Sequence, residues 1–169
     1  MLIFRLNLRK VATIIACLAV TTMFSGCNKD TTNPEKTNYF TYDGKTFEIK
    51  MAIYHEEDDF YAFVISSTES ISKAPNICLE IPKSLMGQKL DLTQSYPIPT
   101  NGHFLCGYFF YNEEYFPFAH NNSGLTGTDN WVKITKNSGS SNFTLEFNMT
   151  IDGKLLSGKY IGRIEKDFN

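Results

Sequence analysis

Apolar and polar residues alternate along most of the chain from position 39 to position 164, and turn residues separate the alternating segments. A period of two residues is the pattern of a β-strand with one buried face, and no stretch keeps the i, i+3, i+4, i+7 spacing of an amphipathic helix. Residues 83–92 are the exception, since they can hold one short helical turn. About eight to ten strands in ~130 residues predict a single all-β domain, either an antiparallel β-sandwich or a small β-barrel.

The C-terminal part, residues 131–165, carries the most specific pattern. An Asp-Gly pair at 152–153 favours a two-residue type I′ turn, because both central positions of that turn need positive φ. A four-residue loop at 138–141 joins the preceding strand, and the large apolar side chains of the central strand then share one face. We therefore predict a three-stranded C-terminal meander. The predicted partners are Met149 with Leu156, Phe147 with Gly158, Leu145 with Tyr160, Phe143 with Gly162, Val132 with Phe147 and Ile134 with Leu145.

The start of the domain predicts a second hairpin. Strands at 39–42 and 45–55 flank an Asp-Gly pair at 43–44, which again indicates a type I′ turn. If 45–55 is one continuous strand, its apolar residues share one face; they are Phe47, Ile49, Met51 and Ile53. A four-residue loop at 56–59 would then pair Ile53 with Ala62 and Met51 with Val64.

The first 27 residues have a different pattern. Residues 1–10 carry three basic residues and no acidic one, and residues 11–24 form an uncharged apolar run. This is the layout of a secretory signal, because the run is shorter than the ~20 residues that span a bilayer. The sequence Phe-Ser-Gly-Cys that ends at Cys27 resembles the lipobox of bacterial lipoproteins, with Phe24 where leucine is usual. The alternative is an ordinary signal followed by an unrelated cysteine.

The lipobox resemblance implies a defined mature N-terminus. In that family the cysteine receives a diacylglyceryl group, signal peptidase II cleaves before it, and its amino group is acylated, often with palmitate. Several acyl chains on one residue make a stable anchor, whereas one chain binds a membrane only marginally. The expected organisation is a signal peptide at 1–26, the lipidated Cys27 and a flexible polar tether at 27–38, and an all-β domain at 39–169.

The processed chain also resembles the small β-rich surface lipoproteins of Bacteroidota, whose families have no assigned function. The resemblance rests on the Cys27-Asn28-Lys29-Asp30 start, the opening hairpin at 39–45 and the closing run at 143–163. It implies an address at the bacterial cell envelope, on the outer membrane, and leaves two orientations open, towards the cell surface or towards the periplasm. It carries over no catalytic or binding residue.

Charge excludes one class of partner. Removal of residues 1–26 takes away three of the 16 basic residues and none of the 18 acidic ones, which leaves a net charge of about −5. The remaining lysines are scattered singly, whereas a nucleic-acid-binding surface needs clustered Lys and Arg. We therefore expect no nucleic-acid partner.

Two cysteines remain in the domain, Cys78 and Cys106. An exported protein can join them in a disulfide, and the alternative is a pair of free thiols. Paired cysteine spacings typical of a metal site are missing, as are the G-x-S-x-G and H-E-x-x-H motifs. The acidic run at 55–59 is interpreted as a solvated turn, and the adjacent Glu113 and Glu114 would point to opposite faces of a strand. We predict no catalytic residue, metal or cofactor, which favours a protein that is not an enzyme.

The richest candidate chemistry is aromatic. Residues 103–118 hold eight Phe and Tyr residues, and an exposed aromatic row can stack on the apolar face of a sugar. The candidate ligand-contact residues are Tyr108, Phe110, Tyr115 and Trp131. The alternative is cross-strand ring packing, which stabilises a sheet without any ligand.

Two classes of function follow from these patterns. The first is a membrane-anchored binding or accessory module at the cell envelope, whose ligand is a glycan, a peptide or a partner protein. The second is a carrier of small apolar ligands inside a barrel, or an envelope hydrolase of unknown reaction. An exposed aromatic row would favour the first class, whereas an open interior or a cleft with two convergent polar groups would favour the second.

Overall fold

The computed structural model describes residues 37–73, 75–96, 105–138 and 140–166. These residues form twelve strands and a 3-10 turn at Lys83–Leu85, which lies in the region where one short helical turn was predicted. The strands are β1 (Tyr39–Tyr42), β2 (Lys45–Glu48), β3 (Met51–Glu56), β4 (Phe60–Ser66), β5 (Asn76–Pro82), β6 (Lys89–Asp91), β7 (Cys106–Tyr111), β8 (Glu114–Ala119), β9 (Trp131–Lys136), β10 (Asn142–Ile151), β11 (Lys154–Arg163) and β12 (Glu165–Lys166). No helix in the described ranges has the length and hydrophobicity needed to span a bilayer.

The strands form two six-stranded sheets that pack face to face. Sheet A has the order β2-β1-β11-β10-β9-β6, and sheet B has the order β12-β3-β4-β5-β7-β8. Neighbouring strands are antiparallel except β12 and β3, which are parallel. The core lies between the sheets, where the Phe143 ring of sheet A is 5.1 Å from the Phe63 ring of sheet B and the Tyr42 ring is 4.6 Å from that of Phe109. The all-β sandwich prediction is confirmed.

The predicted C-terminal meander is present in full. Strands β9, β10 and β11 are adjacent, and all six predicted residue pairs are found. Every second residue of β10 is buried, because its large apolar side chains face the other sheet. Gly158 is required here, since a Cβ atom at that position would lie 2.6 Å from the Phe147 ring and 2.7 Å from Phe40 Cβ.

The prediction for residues 45–55 is wrong in two respects. The segment is not one strand, because the chain crosses from sheet A to sheet B at residues 49–50, between β2 and β3. The crossing changes which residues face the core: Tyr54 is buried, while Met51 and Ile53 lie on the outer face of sheet B. This break, together with the short strands β6 and β12, raises the strand number above the expected range.

The pairing of β3 with β4 also differs from the prediction. Ile53 pairs with Val64 and Met51 with Ser66, rather than with Ala62 and Val64. The hairpin turn lies one residue further along than expected, since the Glu57 N–H donates to the carbonyl of Phe60. Moving the turn by one residue moves each cross-strand partner by two, so the same faces are kept but the neighbours change.

Candidate functional site

The outer faces of the two sheets differ in chemistry. One row across sheet A consists of Thr46, Thr41, Ser157, Asn148, Trp131 and Asp91. The corresponding row across sheet B consists of Ile53, Val64, Cys78, Tyr108 and Pro117. The outer face of sheet B also holds polar residues, among them His55, Glu80 and Asn76, but an apolar row on a sheet that meets water commonly marks an interaction site. Sheet B therefore carries the candidate site.

Three aromatic side chains form the edge of this outer face, and we call them the aromatic face: Tyr108 and Phe110 on β7, and Tyr115 on β8. The Phe110 and Tyr115 rings are stacked with centroids 4.5 Å apart, and the Tyr108 ring meets Tyr115 edge-on at 5.4 Å. Tyr115 is 65% exposed, whereas Tyr108 and Phe110 are half-buried. The rings thus pack on one another, as the cross-strand alternative predicts, and Tyr115 still presents apolar surface to solvent.

Trp131, the fourth candidate, lies elsewhere. It is on β9, on the outer face of sheet A, and the Lys89 ammonium group lies 4.0 Å from the centre of its ring. The structure therefore brings together three of the four aromatic residues and separates Trp131 from them.

A cleft opens beside the aromatic face, and we call it the end cleft. It has a volume of about 430 Å³ and lies where the β1–β2 hairpin, the segment before β5 and the β7–β8 turn meet. Its lining residues are Lys45, Phe47, Ser72, Lys73, Pro75, Phe110, Tyr111, Asn112 and Glu113. Phe110 belongs both to this cleft and to the aromatic face, so the two surfaces are continuous.

The β7–β8 turn at the rim of the end cleft has an uncommon backbone. Asn112 and Glu113 have φ values of 49° and 66°, and neither is glycine. Left-handed backbone is rare for a residue such as glutamate, and strained backbone often occurs at functional sites. The turn also separates the two adjacent glutamates: Glu113 lies in the turn, and Glu114 is the first residue of β8.

The segment before β5 is held in place by Asn76, the first residue of β5. The Asn76 side-chain amide donates to the carbonyl of Ile71 at 2.8 Å and to that of Lys73 at 3.1 Å, and Asn76 is 1% exposed. On the other side of the cleft, Lys45 Nζ donates to the Tyr111 hydroxyl at 3.3 Å. The cleft walls are therefore fixed by hydrogen bonds to sheet B.

Apart from Phe110, the pattern of the sequence did not reveal the cleft residues. Lys45, Phe47 and Lys73 come from segments that are far apart in the chain and meet only at the end of the sandwich. The available signal was the position of Lys45 directly after the predicted Asp-Gly turn, because loops and turns at the ends of a sandwich commonly carry binding residues.

The two cysteines are free thiols in the structure. Cys78 pairs with Tyr108 and Cys106 pairs with Glu80, so the cysteines are diagonal neighbours on β5 and β7. Diagonal neighbours are typically ~7–8 Å apart, which is more than a disulfide accepts. Burial raises the pKa of Cys78 and of Cys106 to about 12, and Cys106 Sγ donates to Glu80 Oε2 at 3.6 Å. Both groups are protonated at neutral pH and are therefore poor nucleophiles.

The acidic run at 55–59 forms ion pairs within the protein. Glu56 accepts hydrogen bonds from Lys83 at 3.0 Å, from the Tyr61 hydroxyl at 3.1 Å and from Lys166 at 3.4 Å. The hydrogen bond from Lys83 is the main reason that the pKa of Glu56 is lowered to about 2. Within the described ranges, no group of three or more His, Cys, Asp or Glu side chains is placed to hold a metal ion.

These contacts predict a specific acid sensitivity. The pKa of Glu56 in the folded protein, about 2, lies below its ordinary value of 4.5, so its stabilising effect is complete above pH ~4.5 and is lost as the pH falls towards 2. Because the Glu56 side chain is 27% exposed, solvent screening reduces the effect to about 1–2 kcal/mol. Urea unfolding between pH 7 and pH 2 measures this effect. At pH 7 the free energy of unfolding of Glu56→Gln should be lower than that of the unsubstituted chain by this amount, and it should change less as the pH falls.

The neighbouring Glu57 provides the matched control. Its carboxylate contacts only His55 in the described ranges, and its side chain is 51% exposed. Glu57→Gln should therefore change the free energy of unfolding by less than about 0.5 kcal/mol. Equal effects of the two substitutions would contradict the role given to the Glu56 contacts.

The chain has no significant match among protein-family models, curated proteins or solved structures. A sandwich architecture does not specify a function, because one architecture carries many unrelated activities. The function must therefore be inferred from the chemistry of the aromatic face and the end cleft.

Proposed function

We propose that this chain is a lipid-anchored binding module of the bacterial cell envelope, and that it binds a glycan on the aromatic face and in the end cleft. One observation carries the proposal: the stacked Phe110–Tyr115 pair, with Tyr115 65% exposed, continues directly into a cleft of about 430 Å³. Concave surfaces with an apolar floor and a few polar groups are the usual form of a small-molecule site.

The chemistry of the surface suits a sugar. A pyranose ring has an apolar face of C–H groups and a rim of hydroxyl groups, so it needs a flat apolar partner and nearby hydrogen-bonding groups. The exposed ring of Tyr115, packed on Phe110, supplies the first, and Lys45, Ser72 and Glu113 at the cleft supply the second. Burial raises the pKa of Tyr108, which keeps its hydroxyl neutral and available as a hydrogen-bond donor.

The anchor part of the proposal rests on the sequence. Cys27 and the rest of residues 1–36 lie outside the described residues, so the signal peptide, the lipid and most of the tether are supported by the lipobox resemblance and by the polar segment after it. The partners proposed are the membrane, through the N-terminal lipid, and an envelope or extracellular glycan. A module on a polar tether would stand away from the bilayer with its binding surface accessible.

The packing between the sheets favours surface binding over an apolar-ligand carrier. The rings of Phe63, Phe143, Tyr42 and Phe109 occupy that space and contact one another across the two sheets. A carrier needs an enclosed cavity for its ligand, whereas the end cleft lies at the end of the sandwich.

A glycan array tests this function directly. The full chain, purified in a non-ionic detergent, is expected to bind a subset of bacterial, plant or mucin glycans. Tyr115→Ala and Phe110→Ala should each weaken that binding about tenfold, which corresponds to ~1.4 kcal/mol and is typical of an aromatic contact at a binding surface. Kd values from titration of each variant with the best array glycan provide the measurement.

Trp131→Ala is the matched control, because it removes an aromatic ring from the outer face of the other sheet. Its affinity should equal that of the unsubstituted chain. An array without a bound glycan, or a selective loss in Trp131→Ala, would reject the site. Binding to peptides or to an envelope protein through Tyr115 would keep the surface and reject the glycan.

A further inference from the structure

The end cleft differs in charge from the rest of the protein. The processed chain is expected to be acidic, with a net charge of about −5. The cleft lining holds two lysines, Lys45 and Lys73, and one glutamate, Glu113. A local excess of positive charge therefore lies at the one end of the sandwich where the apolar floor of Phe47 and Phe110 is accessible.

These two lysines have no carboxylate partner among the described residues, which is also true of Lys50, Lys89, Lys133 and Lys136. The ammonium groups of Lys83, Lys154 and Lys159 lie 3.0, 3.6 and 3.2 Å from carboxylate oxygens. Among the described residues, no carboxylate lies within 4 Å of the ammonium group of Lys45 or Lys73. The Lys45 ammonium instead contacts the Tyr111 hydroxyl at 3.3 Å. Their charge is thus available to a ligand.

Lys45 follows a defined turn, and the backbone groups of Lys73 are hydrogen-bonded. Lys45 begins β2 directly after a turn in which Asp43 and Gly44 have φ values of 50° and 73°, as a type I′ turn requires. The backbone N–H of Lys73 donates to the carbonyl of Ser70, and the carbonyl of Lys73 accepts from the Asn76 side chain. Binding costs less conformational entropy when the backbone that carries the binding group is already ordered.

We propose that the end cleft selects an anionic sugar, and that Lys45 and Lys73 bind its carboxylate, sulfate or phosphate group while the sugar ring lies against Phe110. This inference rests on the proposed glycan-binding function and names the class of its ligand. Ammonium groups bind such anions by charge-assisted hydrogen bonds, which strengthen beside an apolar surface. Glu113, on the same rim, accepts hydrogen bonds from neutral hydroxyl groups of the sugar.

Matched pairs of glycans test the selectivity. The probes are oligogalacturonate and its methyl ester, chondroitin sulfate and desulfated chondroitin, and phosphomannan and mannan, with inorganic phosphate as the free anion. Titration of the full chain in non-ionic detergent should show, in at least one pair, that the anionic member binds at least tenfold more tightly. In Lys45→Gln and in Lys73→Gln this preference should fall about fivefold or more, and high salt should reduce it.

Lys133→Gln is the control, because it removes the same charge from the outer face of sheet A. The preference should be unchanged in this variant. The inference is overturned if both members of every pair bind equally, or if the preference survives in both cleft variants. If binding still depends on Tyr115 in that case, the glycan function remains intact. Binding of inorganic phosphate that equals that of the glycans, with no effect of Tyr115→Ala, rejects the glycan function. An absence of binding to every probe overturns the inference, and the glycan array then decides the glycan function.

Discussion

Replacing Gly107 with alanine is expected to destabilise the protein by about 3 kcal/mol or more, since overpacking of a tight site usually costs ~1–3 kcal/mol and here the contact is with backbone. A Cβ atom at this position would lie 2.1 Å from the carbonyl oxygen of Cys78 and 2.8 Å from the Phe118 ring. Gly107 lies on β7 opposite Leu79 of β5, so relief of the clash requires the two strands to separate. Urea unfolding of the full chain, followed by intrinsic fluorescence, measures the effect.

The same substitution should also change the geometry of the proposed binding site. On strand β7, Tyr108 and Phe110 alternate with Gly107 and Phe109, so a shift of β7 moves the aromatic face relative to the end cleft. We expect glycan binding to be lost together with the stability. An alanine variant that remains stable but loses binding would indicate a local shift of β7 rather than unfolding.

Gly162→Ala provides the control. Its added Cβ would lie 3.0 Å from the Tyr160 hydroxyl, which is the end of a side chain and can move. The loss should be below about 1 kcal/mol. If Gly107→Ala were as stable as Gly162→Ala, the close pairing of β5 with β7 would be wrong.

The C-terminal meander could be predicted because nearby residues in the chain determine its turns and its strand register. Two turns of known type bracket β10, and its large apolar residues alternate without interruption over ten positions. Turn type and alternation together determine register, since a one-residue slip would move every buried side chain to solvent. The predicted pair of Phe147 with Gly158, for example, is found in the structure.

The crossing between β2 and β3 could not be predicted in the same way. Residues 49–50 lie within an alternating run that contains no Gly or Pro, so nothing local marks the change of sheet. A period of two residues reports which residues share a face, and it does not report to which sheet a strand belongs. The prediction that Met51 and Ile53 share a face with Phe47 and Ile49 failed for that reason.

Only part of the candidate site could be predicted, because the sequence does not show which face of β7 is buried. Tyr108 and Phe110 alternate on β7 with Phe109 and Tyr111, so both faces of the strand are aromatic in the sequence. The structure distinguishes them because Phe109 is fully buried and its ring meets Tyr42 of the other sheet at 4.6 Å. The position of Trp131 depended on sheet membership, which local patterns do not provide.

Replacing Cys27 with serine is expected to abolish lipid attachment completely. If the lipobox is functional, cells fed an alkyne analogue of palmitate should label the unsubstituted protein, whose intact mass should match a chain that begins at Cys27 and carries acyl groups. Serine has no thiol to receive the diacylglyceryl group, so Cys27→Ser should carry no label and should retain residues 1–26. Several acyl chains hold a protein on a membrane far more firmly than one chain, which binds with K of only about 10⁴ M⁻¹.

This experiment separates the two interpretations of the N-terminus. With an ordinary secretory signal and an unrelated cysteine, neither protein would be labelled and both would be cleaved at the same place. Cys106→Ser is the matched control, because it removes a thiol from β7 and leaves Cys27 in place. Label that persists in Cys27→Ser but disappears in Cys106→Ser would place the lipid on the domain and would contradict a tether at 27–38. Protease treatment of intact cells then determines whether the aromatic face meets glycans outside the cell, because only a surface-exposed domain is cleaved before the outer membrane is opened.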